Sequence, residues 1–196
     1  MLGVEVYAII GEHQSDVDTI SQIVRRIVND ASILIRGKGF DGSGELLKRG
    51  ASQLQLYRDL NYSKFIACYD ADGGCPANKK QELIDRVFVP SGIQKNCCVA
   101  LIPIHMIESW ILADIGAISK VIKNWRVTKE IKNPESIRYP KKHLEELSEI
   151  HHKPRYNHVT MNPAIAKHLD INTVFKRCPS FRPLHEFVRN GVGNLQ

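Results

Sequence analysis

No apolar run in this chain approaches the roughly 18 residues that a membrane-spanning helix needs, so no membrane partner is expected. Cysteine is scarce. The five residues Cys68, Cys75, Cys97, Cys98 and Cys178 are odd in number and contain no CxxC. That excludes a disulfide framework and the common zinc ribbons, and fits a reducing compartment. Cys97-Cys98 opens an apolar stretch and reads as core. Neither GxxxxGK[ST] nor GxGxxG occurs, so the usual nucleotide-binding loops are missing. Repeats and low-complexity tracts are missing too. The first residues, MLGVEVYAII, carry no basic leader or small-residue cleavage site. They read as a first strand, and the expected localisation is cytoplasmic.

What is present suits a folded α/β chain. Of 196 residues, 43% are hydrophobic, enough for a sizeable core, and the net charge is +6. A basic balance permits a polyanionic partner without requiring one. Apolar strand patterns at 4–10, 32–35, 64–69 and 99–104 alternate with helical periodicity at 17–28, 45–60 and 78–88. Pro103 takes the end of the fourth strand to an edge or out of the sheet. The alternation predicts an α/β sandwich with a mostly parallel sheet of about four strands. From residue 123 onward Pro134, Pro140 and Pro154 interrupt a basic stretch. Helices follow at 141–150, 162–169, 171–176 and 181–190. The expected division is therefore a domain at 1–122 and a helical C-terminal cap at 123–196. Apolar helix faces such as 181–190 can be buried within the chain or in a homo-oligomer.

The organising stretch is KFIACYDADGG, residues 64–74. A buried strand runs directly into Asp70 and Asp72, followed by two glycines. Ligands of open α/β sheets sit beyond the carboxyl ends of the strands. Two carboxylates there repel unless a cation lies between them, and hard divalent cations take oxygen ligands. The same acids also suit a plain turn. Glu12 follows the first strand in the same way, with Asp16 four residues on. Ser15 or Asp16 is the expected cap of the following helix. Glu108 sits in HMIESWILAD among apolar residues, where a carboxylate needs a partner, a proton or a metal. Asp114 is the expected cap of a short helix at 115–122. The run RGKGFDGSG, 36–44, reads as a glycine-rich mobile loop, with Arg36 and Lys38 as candidates for holding phosphate. His151, His152 and His158 lack a completing acid or cysteine and read as surface residues.

An acid after strand one and DxD after a later strand resemble the Toprim fold, a Rossmann-like sandwich found in topoisomerases, bacterial primases, RNA-maturation nucleases and OLD-type nucleases. Glu12 and Asp16 look like its ExxxD/E motif, with His13 where a glycine is usual. Asp70-Ala71-Asp72-Gly73 looks like its DxD. More narrowly, IPIHMIESWILAD and KRCPSFRPLHEF resemble a family of small uncharacterised prokaryotic Toprim-like proteins. Members are often encoded beside ABC-type ATPases in anti-phage defence loci. There the glutamate before tryptophan recurs, which singles out Glu108 and Trp110. The resemblance implies Mg²⁺ or Mn²⁺ held by Glu12, Asp70 and Asp72, with Asp16 and Glu108 as candidates for a second ion. It implies a nuclease acting on DNA or RNA, the effector of a defence system with an ATPase partner. The alternative it leaves is a non-catalytic Toprim-fold module that binds metal or nucleotide and regulates that ATPase. The aspartate loop of haloacid-dehalogenase phosphatases is a poorer match, because it follows the first strand.

Overall fold

The structure is a computed structural model describing residues 5–149, 155–191, 193 and 195. Four short strands are formed: β1 (Tyr7–Gly11), β2 (Ile35–Gly39), β3 (Lys64–Cys68) and β4 (Cys98–Leu101). They make one all-parallel sheet in the order β2-β1-β3-β4. This is the expected α/β architecture. Both faces of the sheet are buried, as a parallel sheet requires. Tyr7, Ile9, Ile66, Cys68, Val99 and Leu101 belong to one core; Ala8, Ile10, Phe65, Ala67, Cys98 and Ala100 belong to the other. Each fully buried isoleucine contributes about 2–3 kcal/mol.

Helix α1 (Gln14–Val28) covers the first face, burying Val17, Ile20, Ile23, Val24 and Ile27. α2 (Ser43–Asp59) and α3 (Pro76–Leu83) cover the second. α3 continues as a wider π-type turn at Ile84–Phe88 into α4 (Val89–Ser91). Leu60 lies beyond the end of α2 and is exposed. After β4 come α5 (Glu108–Ala113), α6 (Ile115–Ile118), α7 (Pro140–Glu149), α8 (His158–Ala166), α9 (Ile171–Arg177) and α10 (Arg182–Asn190). These pack on the α1 side, and a single buried cluster runs from Tyr7 and Ile9 through Trp110 and Leu144 to Phe181 and Phe187. The apolar face of α10 is therefore spent within the chain. Among the described residues no helix is long and apolar enough to cross a membrane.

The segments 102–114 and 176–187, far apart in sequence, pack on each other. Trp110 is fully buried, donates Nε1–H to Ser180 Oγ at 2.9 Å, and meets Phe181 edge-on at 5.2 Å. The Cys178 thiol donates to Ser109 O. Ser180 is thus a partner of Trp110. Asp114 stands at the N-cap position of α6, as expected, but its side chain accepts from the Asp170 amide at 2.7 Å rather than from the helix, which ends at Ile118.

The second strand lies later than its sequence pattern suggests, and the glycine-rich run is the reason. Arg36 to Gly39 are edge strand, not mobile loop. The glycines are there because α1 lies directly on them. A Cβ on Gly37 would meet Val17 Cγ1 at 2.1 Å, and one on Gly39 would meet the Gln14 backbone nitrogen at 2.1 Å. Gly39→Ala therefore displaces the start of α1, and we expect it to cost about 3 kcal/mol, the upper end of overpacking penalties. Gly44→Ala is the control, since nothing lies within 4 Å of its added Cβ. Thermal melts of the two variants check this; equal midpoints would contradict it.

Candidate functional site

Glu12 and Asp70 emerge from neighbouring strands at the carboxyl edge of the sheet. Pairing between β3 and β4 extends past the strand ends, with the Tyr69 amide donating to Leu101 O and the Ala71 amide to Pro103 O. The chain then reverses: Asp72 and Gly73 take φ of 48° and 78°, and the Gly74 amide closes the turn onto Ala71 O. Left-handed backbone is tolerated by aspartate, yet uncommon outside glycine. Glu12 Oε1 accepts the Asp70 amide at 2.9 Å, tying the two strand ends together.

α1 begins at Gln14, with His13 as its capping position, so neither Ser15 nor Asp16 is the cap. Asp16 sits in the first turn and reaches back, Oδ2 accepting the His13 amide at 3.2 Å. Glu108 opens α5 and is only 4% exposed. Its partner is Asn162 of α8, whose Nδ2 donates to Glu108 Oε1 at 3.1 Å, while the Tyr156 hydroxyl donates to Asn162 Oδ1.

Glu12, Asp16, Asp70, Asp72 and Glu108 line one cavity of about 280 Å³, together with His13, Met106, Lys141 and His158. Burial raises the pKa of Glu12, and Asp72 adds to the rise. Burial and the nearby Glu108 carry Asp16 to about 6. Asp70 is held well above the carboxylate range, by burial first and then by Asp16, Glu12, Glu108 and Asp72. Burial raises Glu108 as well, against the Asn162 hydrogen bond. These carboxyl groups depend on one another, and among the described residues none of the five forms an ion pair. On the far wall Lys141 Nζ lies 3.1 Å from His158 Nε2. Burial and Lys141 lower the His158 pKa, so the ring is neutral at pH 7 and its Nε2 accepts from the ammonium.

The donor set fits a hard divalent cation in kind: several carboxylate oxygens, net negative, and partly desolvated. It is not gathered for one. Among the described residues, no three His, Cys, Asp or Glu side chains are disposed to hold a metal ion. Glu12, Asp16 and Glu108 are turned to protein donors, while among the described residues no hydrogen bond reaches the carboxylates of Asp70 or Asp72. A metal would be held by Asp70 and Asp72 with Glu12 turned from the Asp70 amide.

Every acid named in the sequence analysis as a catalytic or metal-binding candidate lines this cavity. Arg36 and Lys38 do not. They are exposed on the sheet edge, in register with Ala8 and Ile10 and hence on the face away from α1, with Arg36 near Tyr57. Three lining or supporting groups had no sequence signal: Lys141, His158 and Asn162. His158 is in the cavity rather than on the surface; His151 and His152 lie outside the described residues. His105 stands beside the turn, 3.7 Å from where a Gly73 Cβ would be.

A family model described as a domain of unknown function, DUF4276, matches residues 11–189, which spans every one of these side chains. Neither the curated proteins nor the solved structures give a match to the chain.

Proposed function

This chain belongs to the DUF4276 family, and for it we propose hydrolysis of nucleic-acid phosphodiester bonds with Mg²⁺ or Mn²⁺ held by Glu12, Asp70 and Asp72. The observation that carries the reading is the convergence of five carboxylates, from both strand ends and two helix starts, on one cavity at the carboxyl edge of a parallel sheet. Several have raised proton affinity and none is ion-paired among the described residues, an arrangement that costs stability and fits a cationic ligand. Bound divalent cations neutralise the charge of a phosphodiester and activate water for attack. This chain's own residues supply the rest. Asn162 fixes Glu108 at the second side of the cavity. Lys141 offers its ammonium to a phosphate oxygen, and neutral His158 orients that ammonium. The resemblance to defence-associated Toprim-like proteins adds the proposed role of effector alongside a partner ATPase.

The ungathered donors favour a second reading, a binding module that takes metal or nucleotide and regulates a partner without turnover. Calorimetric titration with Mn²⁺ and Mg²⁺ tests both. Micromolar to millimolar binding by the wild type, lost in Asp70→Ala/Asp72→Ala, places the ion at the strand ends. Binding without cleavage of DNA or RNA supports the module. No binding by the wild type overturns the metal reading.

A further inference from the structure

α1 and α8 lie side by side and run in the same direction. His158 and Asn162 of α8 stand by the start of α1, and at the other end the Arg26 guanidinium donates to Lys167 O at 2.5 Å. Between the helices runs a groove. One part, about 380 Å³, includes Val17, Asp18 and Thr160, each within two residues of the Asp16 and His158 that line the carboxylate cavity. A second part, about 570 Å³, includes Arg26 and Asp30. The two share Gln22, Arg25 and Lys167, so they are continuous. From Asp16 to Arg26 the helical rise gives a track of about 15 Å.

The charge along this track is graded. The end at the cavity is acidic. The far end gathers Arg25, Arg26 and Lys167, cations from two different helix ends. Two acids border the track: at the far end Asp30 accepts from the Ser32 amide and hydroxyl, and nearer the cavity Asp18 accepts from Gln14 Nε2 at 2.8 Å, so the three cations are set against two carboxylates. Arg25 and Arg26 complement the negative end of α1, but that does not require Lys167 to share a cavity with them. No aromatic ring lines either part, so base stacking has no platform there. What remains is electrostatic capture of a phosphate backbone.

The geometry points to a binding track for a single polynucleotide strand, its phosphates held by Arg25, Arg26 and Lys167 and its chain led along the α1–α8 groove to the carboxylate cavity. This rests on the phosphodiesterase reading for what happens at the cavity, but the binding is independent of it. Contacts are to the backbone, so binding is insensitive to sequence and sensitive to salt.

The test is fluorescence anisotropy of a short labelled oligodeoxythymidine with the full chain, in EDTA, across a salt series. Arg25→Ala/Arg26→Ala/Lys167→Ala weakens binding at least about tenfold and flattens the log–log salt slope by about 2, from roughly 0.7 per phosphate released for single strands. Arg25→Lys/Arg26→Lys restores most of the affinity, because charge rather than guanidinium packing is at work. Wild-type affinity in the alanine variant overturns the proposal, as does a wild type that ignores the strand. Tighter binding of a duplex of the same sequence overturns the single-strand assignment. Hydrolysis of bis(4-nitrophenyl) phosphate by the wild type with Mn²⁺ reports on the cavity alone. Its absence removes the phosphodiesterase reading and leaves the track standing.

Discussion

On the proposed phosphodiesterase reading, Asp70→Asn is expected to lower Mn²⁺-dependent phosphodiester cleavage by at least about a thousandfold, or about 4 kcal/mol of barrier, while the protein stays folded. Asp70 is the carboxylate with the most like-charged neighbours: Asp16, Glu12, Glu108 and Asp72 all push its proton affinity upward. Asparagine keeps the shape and one oxygen but removes the charge that a cation would answer. The Asp70 amide, which holds Glu12, is unchanged by the substitution, so the strand ends stay together. Cleavage assays with matched thermal melts decide the matter. Activity within about tenfold of wild type, in a protein that melts no lower than wild type, would remove Asp70 from the chemistry.

Asp16→Asn is expected to raise the stability of the metal-free protein at neutral pH. Asp16 keeps its proton up to about 6 in the folded chain, against 3.8 when free. A carboxyl whose folded pKa is raised stabilises the fold fully below its unfolded pKa and loses that contribution as pH rises through the folded value. Glu12, Asp70 and Glu108 shift in the same direction. The metal-free wild type therefore loses stability between about pH 4 and pH 7 on account of this cavity. At pH 7.5 asparagine relieves at most about 3 kcal/mol, a gain of roughly 6–12 °C in melting temperature for a chain of this size. At pH 4 the gain vanishes, since the aspartate is then protonated. Asparagine still accepts the His13 amide, so the start of α1 is preserved. Melts of both proteins in EDTA across this range test the sign. A variant less stable than wild type at pH 7.5, or a gain that grows as pH falls, would contradict the argument. On the proposed metal reading, added Mn²⁺ is expected to narrow the difference by stabilising the wild type more than the variant.

Both predictions rest on acids that were legible in the sequence, because each follows a strand or opens a helix within one local pattern. The sheet was legible for the same reason: IACY, VALI and YAII are short apolar runs bounded by turns. β2 was displaced in the sequence reading because its glycines look like a loop. Their purpose, letting Val17 and Gln14 of α1 approach the strand, is a tertiary fact with no local signature. Lys141, His158 and Asn162 were hidden in another way. They stand on α7 and α8, whose sequences show ordinary helices. Only the packing of α8 along α1 brings Asn162 onto Glu108, 54 positions away. Arg36 and Lys38 illustrate the converse. A basic, glycine-rich run suggested phosphate, but the register of β2 on β1 turns both side chains to the face opposite α1.

The division of the cavity between the two ends of the chain also sets when it can exist. A ribosome delivers residues at about 5–20 per second, so Glu12, Asp16, Asp70 and Asp72 emerge roughly 5–30 s before Asn162. Until α8 is made and laid along α1, Glu108 lacks its amide partner Asn162 and the far wall lacks His158. The half-made polypeptide thus has the acids of the cavity before it has the α8 side that closes it. A truncation before α8 is expected to leave Glu108 without its amide partner.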